Sequence, residues 1–110
     1  MVKVTFRNLE ASDAIRDYAV EKVEKAAKYL YREFNAQAIL ATEKFWQVAE
    51  IVVTGEGHTC VGSARREDMY SAIDAAMHKV EVQLRRYKDR NHVPSKDTGE
   101  FERPKLVTSD

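Results

Sequence analysis

The side chains in this sequence that are best spaced for chemistry form a polar series near the end of its last periodic segment. Lys79, Gln83, Arg86 and Arg90 follow one another at intervals of four, three and four residues. On an α-helix these intervals keep side chains on one face, and at 1.5 Å per residue the series extends over about 16 Å. Lysine and arginine in this arrangement would donate charge-assisted hydrogen bonds to several phosphate oxygens of a nucleic acid. The spacing therefore predicts an anion-binding or RNA-binding stripe.

Charge is also segregated along both predicted helices, at residues 12–32 and 68–90. Acidic side chains come early in each helix and basic side chains come late, as with Asp13 and Asp17 before Lys22 and Lys25. The helix dipole favours this order in any helix by about 0.3–1 kcal/mol per charge, so one such helix is also typical of a solvated surface. A nucleic-acid surface is favoured over an ordinary solvated surface only if the fold brings the basic ends of both helices together.

Hydrophobic periodicity predicts the element order β-α-β-β-β-α. Val2, Val4 and Phe6 alternate with polar residues as in a half-buried strand, and further strands are predicted at residues 35–42, 48–54 and 58–64. A right-handed crossover makes the first two strands parallel, and the following meander makes the fourth strand parallel to the second. We therefore predict an α+β fold in which a four-stranded sheet carries two roughly parallel helices on one face. The basic C-terminal ends of the helices would then lie at the same end of the domain.

Length and composition narrow the class of protein. A chain of 110 residues fits one domain, which we place at residues 1–92. Residues 93–110 contain both prolines and no sustained periodicity, so we predict a flexible C-terminal tail or linker remnant there.

The balance of 18 Lys and Arg against 18 Asp and Glu argues against indiscriminate nucleic-acid binding but not against a local basic surface. A single cysteine, Cys60, and no apolar run of about 20 residues are typical of a cytoplasmic protein without a membrane span.

The candidate catalytic residues are few and poorly spaced. His58, His78 and His92 share no metal-ligand spacing with one another or with Cys60, and a lone cysteine with a distant histidine is a weak indication of a nucleophile. The turn Gly55-Glu56-Gly57 is too short for a phosphate-binding loop. We therefore predict a protein that is not an enzyme and that uses no catalytic residue, metal, cofactor or small-molecule substrate.

The run Asp68-Met69-Tyr70-Ser71-Ala72-Ile73-Asp74, with the basic series after it, closely resembles the ribosome hibernation promoting factor family. This family includes the ribosome-associated translation inhibitor and was once called the sigma-54 modulation proteins. The resemblance continues upstream through Ala14-Ile15-Arg16-x-Tyr18 and residues 49–54, and it covers nearly all of residues 2–90. It implies a fold similar to double-stranded-RNA-binding domains. It also implies binding to the small ribosomal subunit in the channel for messenger RNA and transfer RNA, where occupancy blocks translation under stress without chemistry.

The resemblance also suggests which residues make contact, since family members bind ribosomal RNA mainly through basic side chains on the two helices. Many relatives carry arginine where this chain has Val82, and we expect Arg85 to compensate. We assign Asp68 to capping of the second helix, and Met69 and Tyr70 to packing. The expected rRNA-binding residues are Lys22, Lys25, Lys79, Gln83, Arg85, Arg86, Lys88 and Arg90.

An alternative function stays open at this point. The same fold could serve as a protein-interaction module through Trp46, Phe45 and the exposed sheet face, or could self-associate weakly through that face. A contiguous apolar patch of several hundred Å² there would favour a protein partner. Long members of the family continue into a second domain that pairs two ribosomes, and the sequence does not decide between a natural short form and a chain cut in the linker.

Overall fold

The computed structural model describes residues 1–30 and 33–92, with the side chains of residues 1–27 and 33–86. It contains four strands and two helices in the order that the periodicity predicts. The elements are β1 (Val2–Arg7), α1 (Asp13–Leu30), β2 (Asn35–Glu43), β3 (Trp46–Gly55), β4 (His58–Arg66) and α2 (Met69–His92).

The strands form one sheet in the order β1-β2-β3-β4. β1 pairs with β2 in parallel, whereas β2 with β3 and β3 with β4 pair in antiparallel. β4 therefore runs in the same direction as β2. This confirms the predicted mixed sheet and its strand directions.

One face of the sheet is covered by the helices because its strands present small and branched apolar side chains at every second position. On β3, for example, Ala49, Ile51 and Val53 are fully buried and alternate with more exposed residues. The helices complete the core with apolar residues at helical spacing, such as Val23 on α1 and Val80 on α2. Apolar residues that recur every second position in the strands and every 3.6 positions in the helices therefore pack into one hydrophobic core.

A glycine in β4 lets α2 approach the sheet closely. Gly62 is buried, and a Cβ atom placed on it would overlap the backbone carbonyl oxygen of Ala76 and lie 3.0 Å from the Cβ of Lys79. Only a residue without a side chain fits between β4 and α2 at this point. The position of Gly62 thus determines how near the polar residues on the flank of α2 come to β4.

The strand ends differ from the prediction at the β2–β3 connection. Residues 43–46 were expected to form a longer connection, but Glu43 pairs with Trp46, which leaves a two-residue turn. Lys44 adopts a positive φ of 58° there. This conformation is uncommon for lysine, so the sequence does not predict it. The β3–β4 connection is the predicted hairpin, with φ of 51° at Glu56 and 82° at Gly57, as a tight two-residue turn requires.

The helix starts shift by one residue because the predicted first residues are caps. Ser12 accepts a hydrogen bond on its hydroxyl from the N–H of Ile15 (3.2 Å), and Asp68 accepts one from the N–H of Ser71 (2.9 Å). Each side chain thereby satisfies a backbone donor that the first helical turn leaves free. The predicted end of the first helix at residues 31–32 lies outside the described residues. In the described part of the chain, neither helix is long and apolar enough to cross a membrane.

Candidate nucleic-acid interface

The two helices lie side by side and run in the same direction. Tyr18 on α1 donates a hydrogen bond to Asp74 on α2 (2.6 Å) and stacks edge-to-face on Tyr70, with ring centroids 4.8 Å apart. One turn further along α1, Lys22 lies 3.8 Å from the same carboxylate. From the pair Tyr18–Tyr70 to the pair Lys22–Asp74, the contact advances by four residues on both helices, so the helices are parallel. The structure thus confirms the predicted arrangement.

The carboxylate of Asp74 perturbs the tyrosine that it holds. The hydrogen bond from Tyr18 to Asp74, followed by partial burial and the negative charge of Asp74, raises the pKa of Tyr18 to about 12. Ionising this phenol would break the bond and place two negative charges together. The tyrosine is therefore a neutral donor at every physiological pH.

The two predicted contact residues on α1 are both exposed, and each has an acidic neighbour. Lys22 lies near Asp74, with its ammonium 5.4 Å from the ring centroid of Tyr18, and Lys25 lies 3.8 Å from Glu21. Ion pairs at such distances on an exposed surface contribute about 0–1 kcal/mol. Both ammonium groups can therefore exchange these partners for a phosphate at little cost.

On α2, the flank next to β4 carries two predicted contact residues that already have partners. The carboxamide of Gln83 donates to the carbonyl of Val61 (2.6 Å) and accepts from its N–H (2.9 Å). The ammonium group of Lys79 donates to the carbonyl of Ser63 (2.7 Å). Helical spacing predicted that these residues share a face, but it could not indicate that the face borders a strand.

The remaining predicted contacts on α2 lie on two different flanks. Arg86 follows Gln83 by three residues, which places it toward the β4 side of α2, whereas Arg85 follows Asp74 by about three turns, which places it on the same side of α2 as Asp74. Both side chains are exposed. Lys88 and Arg90 belong to α2, but their side chains lie outside the described residues.

The predicted set therefore divides into two lines of side chains. We call the first the seam line, because its members lie on the sides of α1 and α2 that carry Tyr18 and Asp74. We call the second the edge line, because its members border the outer strand β4. The seam line consists of Lys22, Lys25 and Arg85, and the edge line consists of Lys79, Gln83 and Arg86.

The acidic residues near these lines have structural roles. Asp68 accepts hydrogen bonds from the side chain (2.7 Å) and backbone of Ser71, and these bonds lower the pKa of its carboxyl group. This agrees with its assignment as a cap. Asp74 has a different role, because it contacts Tyr18 and Lys22 of the other helix. No local pattern reveals such a contact between residues 56 positions apart.

The uncovered face of the sheet mixes apolar and charged side chains. Val52 and Val61 are cross-strand neighbours on it, but Glu50 and Ser63 form the next pair on the same face. At the β2–β3 turn, Phe45 is 79% exposed. Ala41 and Val48 are also cross-strand neighbours on this face, and Trp46 lies two residues along β3 from Val48. Apolar and charged side chains thus alternate on this face, and the protein-interaction alternative stays a prediction. Among the described residues, no three His, Cys, Asp or Glu side chains are grouped so that they could hold a metal ion.

Comparison with known proteins agrees with the fold and with the sequence motif. The family model described as sigma 54 modulation protein / S30EA ribosomal protein matches residues 2–92. A ribosome hibernation promoting factor from Pseudomonas putida is 33% identical over 89 residues, which cover 81% of this chain and 87% of that protein.

Two solved structures are also similar. The N-terminal domain of Protein Y from Thermus thermophilus has a TM-score of 0.72 at 35% identity, covering 77% of this chain and 94% of that one. A ribosomal subunit interface protein from Coxiella burnetii has a TM-score of 0.69 at 27% identity, covering 79% and 96%. Both the sequence and the fold of residues 2–92 are thus those of a known family.

Proposed function

This chain belongs to the sigma 54 modulation protein / S30EA ribosomal protein family, and from that premise we propose that it is a hibernation factor that blocks translation on the small ribosomal subunit. In this proposal it acts in the cytoplasm, under stress, by occupying the channel that messenger RNA and transfer RNA would use. In the same proposal residues 1–92 form the binding domain, whereas the predicted tail or linker remnant at residues 93–110 lies outside the described residues.

The observation that carries the proposal is the position of the exposed cations. Although the chain has no net charge, Lys22, Lys25, Arg85 and Arg86 are exposed on two adjacent parallel helices. A solvated surface does not require both of two adjacent helices to expose basic residues. Binding to a phosphate backbone does require this, because each cation neutralises one phosphate charge along a continuous path.

Binding of this kind needs no chemistry. Lysine and arginine donate charge-assisted hydrogen bonds to phosphate oxygens, and a folded RNA channel supplies specificity by its shape more than by its base edges. The rigid pairing of the helices matters here, since it fixes the distance between the cations of α1 and those of α2. We include Lys88 and Arg90 in the contact surface as continuations of α2.

The test is co-sedimentation with small ribosomal subunits at increasing salt concentration. Each phosphate that the protein neutralises contributes about −0.7 to −0.9 to the slope of log affinity against log salt. The double variant Lys25→Glu/Arg86→Glu reverses one exposed cation on each helix and is expected to weaken binding by at least about tenfold. Because both side chains are exposed, the melting temperature should change little.

The matched control reverses two cations away from the helices. Lys3→Glu/Lys44→Glu changes the net charge by the same amount, at β1 and at the β2–β3 turn. It should leave the affinity for small subunits within about twofold of wild type. Equal weakening by both doubles would contradict a localised surface, and affinity that is insensitive to salt would contradict phosphate contact altogether.

A further inference from the structure

β4 is an outer strand of the sheet, so one side of its backbone pairs with no strand of the part of the chain that the structure describes. Along an antiparallel strand, a residue that is not hydrogen-bonded to its neighbour directs its N–H and C=O groups to the other side. Val61 is such a residue, because both of these groups bond to a side chain of α2. Exposed backbone groups of this kind are a template for pairing with another chain.

The side chain of Gln83 satisfies both groups of Val61 at once. A carboxamide offers a donor and an acceptor, as a peptide group does. Gln83 therefore makes the two hydrogen bonds that a residue of an added strand would make, at 2.6 and 2.9 Å. Lys79 covers the next outward carbonyl, that of Ser63, at 2.7 Å. Gly62 makes these contacts reachable by letting α2 lie close to β4.

The strand beneath these contacts is suited to pairing with a copy of itself. Residues 58–64 contain no Asp, Glu, Lys or Arg, and Val61 is 43% exposed. Uncharged segments of about this length on a sheet edge associate readily with identical segments. In an antiparallel pair about a two-fold axis, Val61 would face Val61 of the second copy and exchange both hydrogen bonds with it. Those are the bonds that Gln83 makes within one chain.

We propose that Gln83, assisted by Lys79, closes the outer edge of β4 against addition of the β4 strand of a second copy of this chain. Closure keeps the chain monomeric. It is a property of the free protein and stands independently of ribosome binding, so its test uses the isolated chain of 110 residues.

The first experiment follows the backbone amide of Val61 by hydrogen exchange. Gln83→Met keeps the length of the side chain but removes both hydrogen bonds, so the Val61 amide should exchange about tenfold faster than in wild type. The amide of Gly62, on the side of the strand that pairs with β3, should keep its rate and report that the sheet is intact. An unchanged rate at Val61 would show that Gln83 does not close the edge and would overturn the proposal.

The second experiment measures the oligomeric state by light scattering after size-exclusion chromatography, over a range of protein concentrations. Lys79→Met/Gln83→Met should form a dimer whose fraction rises with concentration, whereas wild type stays monomeric. Arg85→Met is the matched control, because it also removes one positive charge from α2, at an exposed residue on the other flank of the helix. It should stay monomeric.

A third substitution locates the contact. Val61→Lys, added to the Lys79→Met/Gln83→Met variant, places a charge in the centre of the opened edge and should restore the monomer. A variant that remains monomeric at all concentrations despite faster exchange at Val61 would overturn the proposal. So would a dimer that Val61→Lys fails to separate, because its interface would then lie elsewhere.

Discussion

The two helices cover the same face of the sheet and point in the same direction, but they are held in place differently. Among the side chains that the structure describes, residues 13–27 of α1 contribute Ala19, Val23 and Ala27 to the fully buried core. α2 contributes a longer and bulkier series: Met69, Ala72, Ile73, Ala76, Met77, Val80 and Leu84. α2 also packs its backbone against Gly62 and bonds to β4 through Gln83.

This difference means that the two halves of the candidate interface are positioned by different forces. The cations on α2 are fixed to the sheet by close packing, which tolerates little change in volume. Those on α1 depend more on the contact between the helices, where Tyr18 and Lys22 meet Asp74 at the surface. The candidate interface therefore has one member that is held by close packing to the sheet and one that depends more on surface contacts between the helices.

The largest effect is expected from filling the space that brings α2 close to the sheet. Gly62→Val places side-chain atoms where the carbonyl of Ala76 and the Cβ of Lys79 now lie, so α2 must move away from β4. We expect a loss of about 3 kcal/mol or more in the free energy of unfolding, measured with urea. Ser63→Val, at the next and exposed position of β4, is the control and should cost less than about 1 kcal/mol. Similar losses for both variants would contradict the close contact at Gly62.

A matched pair of core substitutions compares the two helices directly. Val80 on α2 and Val23 on α1 are both 0% exposed, and truncating either to alanine removes the same atoms. Each change costs about 1.6 kcal/mol of lost transfer free energy, and the cavity that remains adds to it. We expect Val80→Ala to cost about 1 kcal/mol more than Val23→Ala, because the tightly packed surroundings of α2 collapse less. Equal costs would contradict the difference between the helices.

Most of the fold could be predicted from local patterns. The alternation of Ala49, Ile51 and Val53 and the helical spacing of Ile73, Ala76 and Val80 are each visible in a short window of sequence, and the parallel helices follow from chain topology. The β2–β3 turn escaped prediction because Lys44 takes a conformation that usually requires glycine or asparagine. No propensity for lysine indicates this.

The candidate site was less predictable because a helical stripe does not reveal what lies beside it. The spacing correctly placed Lys79 and Gln83 on one flank of α2, but their hydrogen bonds to β4 depend on the small volume of Gly62, which is distant in sequence. The role of Asp74 likewise depends on Tyr18, which lies on the other helix. Contacts between elements are set by packing distances, which one sequence read locally does not contain.

The smallest effect is expected at the seam between the helices, and it depends on pH. The pKa of the Tyr18 phenol is about 12 in the folded chain, against 10.0 for an ordinary tyrosine. Between these values the unfolded chain has lost the proton and the folded chain keeps it, so rising pH favours unfolding. The stabilisation from this bond is therefore complete below about pH 10 and is lost as the pH approaches 12.

Tyr18→Phe removes the bond to Asp74 and should lower the free energy of unfolding by about 1 kcal/mol near pH 9, since the site is exposed to solvent. The difference between wild type and variant should shrink when unfolding is repeated near pH 11.5, because wild type loses its bond there and the variant has none to lose. Tyr70→Phe, in the same aromatic pair, keeps the bond from Tyr18 to Asp74 and is the control for loss of a phenol hydroxyl at the seam, so it should keep the alkaline loss of stability that Tyr18→Phe removes. A Tyr18→Phe difference that stays constant with pH would mean that the ring contacts, and not the hydrogen bond, join α1 to α2. The seam would then be held by packing, as α2 is held to the sheet.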